Sequence, residues 1–211
     1  MPELAELRLT ADFVNKVANG LRFKTIKKNP IHKGKDISVP YKLFTISAES
    51  RGKELMLTLK NTDSDKKKHL LLTMGMSGHF DHTNTGEEDK HAHLNFIEKD
   101  GTTLSFVDVR RFGKWQWVDD WSKNRGPDPT TEFDKFKEHI FENLDKAAFN
   151  QPIYVVLMNQ SYFNGIGNYL RAEILYRLPH INPFEQARAV LEKEPYIFEL
   201  CRDIPLQAYA L

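Results

Sequence analysis

Two adjacent residues near the start of the chain, Pro2 and Glu3, are of types that could do chemistry together. Cells commonly remove an initiator methionine that precedes a residue as small as proline, which leaves Pro2 with a free secondary amine. Such an amine attacks an aldehyde-like carbon to give an iminium ion, the Schiff-base chemistry of lysine without a buried lysine. Glu3 beside it is a carboxylate able to move protons during that reaction. Leu4, Leu7, Leu9, Phe13, Val14 and Val17 follow as the apolar stripe of a helix ending near Gly20. Pro2 and Glu3 are then expected at the positive end of that helix, which suits the carboxylate and favours the neutral amine, whereas Glu6 pulls the amine the other way. Proline followed by an acid is also an ordinary helix start, so these residues alone leave a purely structural role open.

Three further clusters have chemical possibilities. In the run from Met74 to Phe80, Gly75 and Gly78 interrupt a strand and leave Met76 at the tip of a sharp turn; a strand methionine is otherwise a core residue. In the run from Asp108 to Trp115, Arg110 and Phe112 offer a flat cation and a flat ring to nucleic-acid bases, the alternative being a basic turn over packed aromatics. In the run from Gln160 to Tyr176, one helix stops, Gly165 and Gly167 make a tight turn, and a second helix starts at Asn168. Glycines at a helix entrance expose backbone N–H groups that can hold a phosphate without net charge, although a structural helix-helix turn needs glycine as well.

The elements that must position these clusters fall into two texts. After the first helix, β-rich runs recur at Leu21 to Ile26, Tyr41 to Ala48, Glu54 to Leu59, Leu70 to Met74, His93 to Ile97, Thr103 to Val107 and Lys114 to Val118, with a hairpin signal at Lys99-Asp100-Gly101-Thr102. That spacing predicts a two-layer β-sandwich over 1–120. Residues 121–131 read as a linker, and 132–211 as a helical domain with helices near 131–146, 153–160, 168–178, 183–192 and 197–202. The fold class is therefore α+β. Lysine and arginine number 30 against 29 aspartates and glutamates, so no global basic field announces nucleic acid and any such surface is local. A single cysteine excludes an internal disulfide and a cysteine-rich zinc finger, and no apolar run has the length of a membrane span or a secretory signal.

Taken jointly and in order, the clusters resemble the Fpg/Nei family of bifunctional DNA glycosylases, most closely its eukaryotic Nei-like branch. The resemblance spans nearly all 211 residues and includes Arg51-Gly52-Lys53-Glu54-Leu55, Gly75-Met76-Ser77-Gly78, His91-Ala92-His93-Leu94, Phe106 to Trp115 and Phe163 to Leu178. It implies a helix-two-turn-helix DNA-binding domain in the C-terminal half, and roles residue by residue. Pro2 is similar to the nucleophile that attacks C1′ of an everted damaged nucleotide, Glu3 to the general acid/base, and Glu6 to a supporting carboxylate. Lys53 and Asn168 match residues that hold phosphates flanking the lesion, with His91 a further phosphate contact. Met76, Arg110 and Phe112 match side chains that fill the gap left in the duplex, a need of any enzyme acting on a flipped nucleotide.

The resemblance implies base-excision repair of oxidised bases with β,δ-elimination at the abasic site. It further implies damaged double- or single-stranded DNA as partner and a nuclear location; a monomer with no cofactor, no metal and no membrane contact is expected. Leu4-Ala5 stands where the family has Gly-Pro, and the chain is expected to lack the family's C-terminal strand pair. The competing expectation is therefore a truncated, weakly active or inactive DNA-binding module of the same fold. A structural RNA-binding relative is a third reading, opposed by Met76, Arg110 and Phe112.

Overall fold

A computed structural model describes residues 1–211. The first helix, α1 (Leu4–Ala18), is followed by eight strands: β1 (Phe23–Lys28), β2 (Phe44–Arg51), β3 (Glu54–Asn61), β4 (Lys67–Thr73), β5 (His79–Asn84), β6 (Ala92–Glu98), β7 (Thr102–Val107) and β8 (Lys114–Val118). Helices α2 (Phe133–Phe141), α3 (Ile153–Val156), α4 (Asn168–Tyr176), α5 (Ala187–Lys193) and α6 (Tyr196–Ala210) complete the chain. None of the helices is long and apolar enough to cross a membrane.

The structure divides into two units, and their membership differs from the sequence division. The first holds Met1–Pro2, Leu7–Ser50 and Glu54–Trp121; the second holds Ser122–Leu211 together with Glu3–Glu6 and Arg51–Lys53. In the first unit the strands form one sheet in the order β5-β7-β6-β1-β2-β3-β4-β8. The expected sandwich is thus a single sheet folded on itself. β1 and β2 share the one register pair Phe23↔Phe44. The two four-stranded halves that meet there bury their faces in one core, with Phe96, Leu104 and Phe106 from one half and Leu55, Leu57, Leu70 and Leu72 from the other.

The buried stripe of α1 in this unit is Leu7, Ala11, Val14 and Ala18, at helical spacing. Leu9 and Phe13, expected on it, lie off that stripe and are exposed. The Asn15 amide exchanges two hydrogen bonds with the Ala48 backbone and fixes the helix to β2. β5 is a strand that the sequence did not announce, because His79-Phe80-Asp81-His82-Thr83-Asn84 buries only Phe80. Its place at the sheet edge, paired with β7, supplies what its composition lacks.

The second unit packs Phe136, Ile140, Phe149, Ile153, Phe163, Leu170, Ile174 and Phe198 around one core that also takes in Leu4. Several helices differ in extent from expectation. α2 stops at Phe141, and just beyond it the Asn143 amide bonds back to the His139 carbonyl, a local bond that competes with helix continuation. α3 is one turn long, whereas α6 continues through Pro205 to Ala210 because Ile204 and Pro205 are buried against the core.

The stretch read as a linker is an irregular but bonded part of this unit. The buried Asp128 accepts from the N–H groups of Gly52 (2.7 Å) and Thr130 (2.8 Å) and from the Thr130 hydroxyl (2.6 Å). Gly126 donates its N–H to the Gln160 carbonyl.

Candidate active site

In the second unit the side chain of Glu3 is buried at the entrance of α4. Its carboxylate accepts from the backbone N–H groups of Gly167 (Oε2, 2.8 Å), Tyr169 (Oε1, 3.0 Å) and Leu170 (Oε2, 3.2 Å). A helix entrance leaves its first N–H groups without partners and carries partial positive charge, so an anion is stable there. The sequence put Glu3 at the positive end of its own helix; tertiary structure gives its carboxylate to another one. The same contact corrects the expectation that this turn offers backbone N–H groups to a phosphate, since Glu3 already occupies three of them.

The two glycines of the turn serve this docking. A Cβ on Gly167 would lie 2.2 Å from Cδ and Oε1 of Glu3, and one on Gly165, whose φ is +95°, would lie 2.6 Å from the Leu4 side chain. The Leu4 N–H donates to the Gly165 carbonyl at 3.1 Å. Pro2, half-buried, is thereby tethered one peptide away from an anchored carboxylate.

Glu6 closes the first turn of α1 by accepting the Glu3 N–H at 2.9 Å, one half of a capping box. It also accepts from the Tyr169 hydroxyl, 2.9 Å and 3.1 Å from the two carboxylate oxygens. Burial, then the hydrogen bond to Glu6 and the negative charges of Glu6 and Glu3, push the Tyr169 phenol above its ordinary value. Nothing in the sequence marked Tyr169, because its role depends on α4 meeting the first turn of α1.

Lys53 sits on the tip of the β2–β3 hairpin, and the residues of the second unit hold that tip from several sides. Gly52 has φ +57°, and a Cβ there would overlap the buried Asn164 amide. Arg51 pairs with Glu132 at 2.7 Å, and the Asp128 N–H also donates to Glu132. Burial lowers the Lys53 ammonium below its ordinary value, Glu3 opposes this, and Arg125 adds to it. Lys53 is thus within electrostatic reach of Glu3. Asn168 is exposed, and its carboxamide oxygen accepts from Arg171 at 3.1 Å while Arg171 also donates to the Tyr154 carbonyl at 3.0 Å. That bond turns the Asn168 amide so that its N–H₂ group is the free end.

The remaining predicted residues lie in the first unit. Met76 and Phe112 are 42% and 61% exposed, unusual for such side chains. Their two loops are fastened by Asp108, which is buried and accepts from the Ser77 hydroxyl (2.5 Å) and the Gly113 N–H (2.7 Å). The Arg110 N–H donates to Ser77 Oγ at 3.1 Å, which sets Arg110 beside the Met76 turn. His93, fully buried, holds the Asp108 carbonyl through Nε2 at 2.8 Å. His91 lies at the base of this arrangement, its carbonyl accepting the Asp108 N–H. Asp108 and His93, both buried, and the half-buried Ser77 position the tip. Of these the sequence singled out none, although the signal was present in the pair of glycines flanking Met76 and Ser77.

The fold, an eight-stranded antiparallel sheet with a capping helix plus a helical unit, is that of the solved MutM (Fpg) protein from Thermus thermophilus. The two superimpose with a TM-score of 0.78 over 100% of this chain and 77% of that one, at 24% identity. Residues 1–115 match the formamidopyrimidine-DNA glycosylase N-terminal domain. The chain is 31% identical to the formamidopyrimidine-DNA glycosylase of Hydrogenovibrio crunogenus, over 90% of this chain and 69% of that protein. It is 41% identical to mouse endonuclease 8-like 1 over 97% of its own length and 37% identical to the human protein over 100%. The chain spans 54% and 61% of those two relatives. This protein belongs to the formamidopyrimidine-DNA glycosylase family.

Proposed function

We propose that the chain excises oxidised bases from DNA and then cleaves the abasic site, through an amine at Pro2. The observation that carries this reading is the anchoring of Glu3. A buried carboxylate held by three N–H donors keeps roughly one of its four lone-pair positions, on Oε1, for an incoming group. It is fixed next to the one residue that can present a secondary amine, and such fixing is what makes proton transfer efficient.

The Pro2 nitrogen attacks C1′ of the damaged nucleotide, the bond from C1′ to the base breaks, and the base leaves with the electron pair and takes a proton. Glu3 takes the proton that the Pro2 nitrogen loses on attack and passes it to the ring oxygen, the sugar opens to an iminium ion, and the carboxylate is free to accept the next proton. Loss of a C2′ proton expels the 3′ phosphate and loss of a C4′ proton expels the 5′ phosphate, after which water frees Pro2. Glu6 and Tyr169 hold the first turn that carries the amine. Lys53, the Asn168 amide and His91 contact phosphates, while Met76, Arg110 and Phe112 occupy the space vacated by the flipped nucleotide. The substrate is damaged DNA, double- or single-stranded, bound by a monomer, and the compartment is the nucleus; imaging of a fluorescent fusion checks the last.

The test is trapping. A chain with Met1 removed, mixed with abasic-site DNA and borohydride, forms a stable covalent adduct, because reduction fixes an iminium. Pro2→Gly retains part of the trapping through its primary amine. Unchanged trapping after acetylation of the terminal amine assigns the nucleophile to a lysine and overturns the reading.

A further inference from the structure

A concavity of about 440 Å³ opens in the first unit beside the exposed tip; Phe112 is in its lining, and the excision reading gives its remaining side chains no role. Its size falls in the range of small-ligand sites, roughly 300–1,000 Å³. Trp115 and His32 line one side, their rings tilted against each other with centroids 4.3 Å apart and 32° between planes. His32 Nδ1 accepts the Gly34 N–H at 2.9 Å, so its proton resides on Nε2. Burial, and then the neighbouring His93 and Lys28, lower its affinity for a second proton, which keeps this wall neutral. Gly34 is required by the wall, since a Cβ there would come within 3.0 Å of both rings.

The rim carries the opposite character. Lys35, Arg111 and Lys114 are exposed cations, and no carboxylate lines the space. The nearby Asp36 is engaged by Lys28 at 3.3 Å. In a chain of net charge +1, three unopposed cations around an apolar pocket form a local bias toward anions. Arg111 has φ +58°, the one residue other than glycine in the left-handed region. Such a conformation is strained in a non-glycine residue and concentrates at functional sites. A flat, neutral aromatic wall under a cationic rim matches a nucleobase that carries a phosphate, the pairing by which aromatic and basic side chains hold single nucleotides.

We infer that this pocket is a mononucleotide-sized site that stacks one unpaired nucleobase against the Trp115–His32 wall and holds its phosphate with Lys35, Arg111 and Lys114. The occupant is either a nucleotide of an unpaired DNA strand or a free nucleotide, which share this chemistry. The site uses neither Pro2 nor Glu3, so its failure and the failure of the excision reading are separable.

The test follows the tryptophan indole and glycine amide resonances in proton–nitrogen spectra of the full chain, with Trp115→Leu assigning the indole. Deoxyadenosine monophosphate is expected to shift the Trp115 indole and the Gly34 and Gly113 amides saturably, with a Kd below about 1 mM. Deoxyadenosine without phosphate binds at least about tenfold more weakly, and inorganic phosphate alone leaves the indole in place. Lys35→Glu, an exposed change that should not disturb folding, weakens the nucleotide at least about fivefold. A short single-stranded oligodeoxyadenylate separates the sources: at least about tenfold tighter binding than the mononucleotide through the same resonances makes the occupant a strand, and equal binding makes it a free nucleotide. Absence of a saturable shift at about 10 mM nucleotide, or an affinity unaltered by Lys35→Glu, overturns the inference.

Discussion

Gly167→Ala changes no functional group, yet it is expected to damage both stability and chemistry. The added methyl would lie 2.2 Å from Cδ and Oε1 of Glu3, whereas ordinary contact begins near 3.4 Å, so the carboxylate must move by more than an ångström. The backbone at Gly167 (φ −127°) is open to alanine, and the entire effect therefore falls on Glu3. Three hydrogen bonds of 2.8–3.2 Å meet at that carboxylate and cannot all survive the shift. Bonds to a charged acceptor contribute about 1.5–3 kcal/mol each, so losing one costs about 1.5–3 kcal/mol. The stiffer unfolded chain returns up to about 1 kcal/mol. A net loss of about 0.5–3 kcal/mol in denaturant unfolding is the expected result.

Because a misplacement of about 1 Å at a reacting group costs on the order of 100-fold, single-turnover excision should fall by that factor in the folded variant. The decisive comparison is a double-mutant cycle with Glu3→Gln. The two changes disable the same contact, so they should be non-additive by at least about 1 kcal/mol. Additive costs, or a Gly167→Ala variant as stable and active as the parent, would refute the anchoring argument.

Lys53→Ala is expected to weaken intact and lesion-containing duplex alike and to lower the salt slope by about one, while Phe112→Ala weakens only the lesion complex, by about 1–3 kcal/mol; anisotropy over a salt series separates them. Burial would raise the Glu132 carboxyl, but the Arg51 hydrogen bond and the Asp128 N–H outweigh it and hold the group below its ordinary value of 4.5. Its stabilising contribution is accordingly full above pH 4.5 and lost as pH falls through the folded value. Glu132→Gln should cost about 1 kcal/mol at neutral pH, with the gap to the parent closing in acid, as read by unfolding at a series of pH values. Arg171→Ala should release the Asn168 amide and weaken DNA binding about three- to tenfold with little change in Tm. It should have no further effect in an Asn168→Ala background, and an equal loss there would remove Arg171 from that role.

The sequence alone determined a good deal, where information is local. Alternating and helical periodicities announced most elements, Lys99-Asp100-Gly101-Thr102 announced the β6–β7 hairpin, and the glycines on either side of Met76 announced its exposed turn. The joint order of the motifs pointed to the family. Tertiary structure decided what no spacing encodes. Asp128 and Glu132, read as linker and helix start, brace the Arg51-Gly52-Lys53 tip across separations of 76 positions (Gly52 to Asp128) and 81 positions (Arg51 to Glu132). Asp108 and Ser77, 31 residues apart, fasten the Met76 and Phe112 loops. Above all, the carboxylate of Glu3 meets N–H groups at 167, 169 and 170. A chain written in one dimension shows a proline, an acid and a glycine turn; only folding puts the acid on the turn, because an unpaired helix entrance and a buried carboxylate each lack what the other supplies.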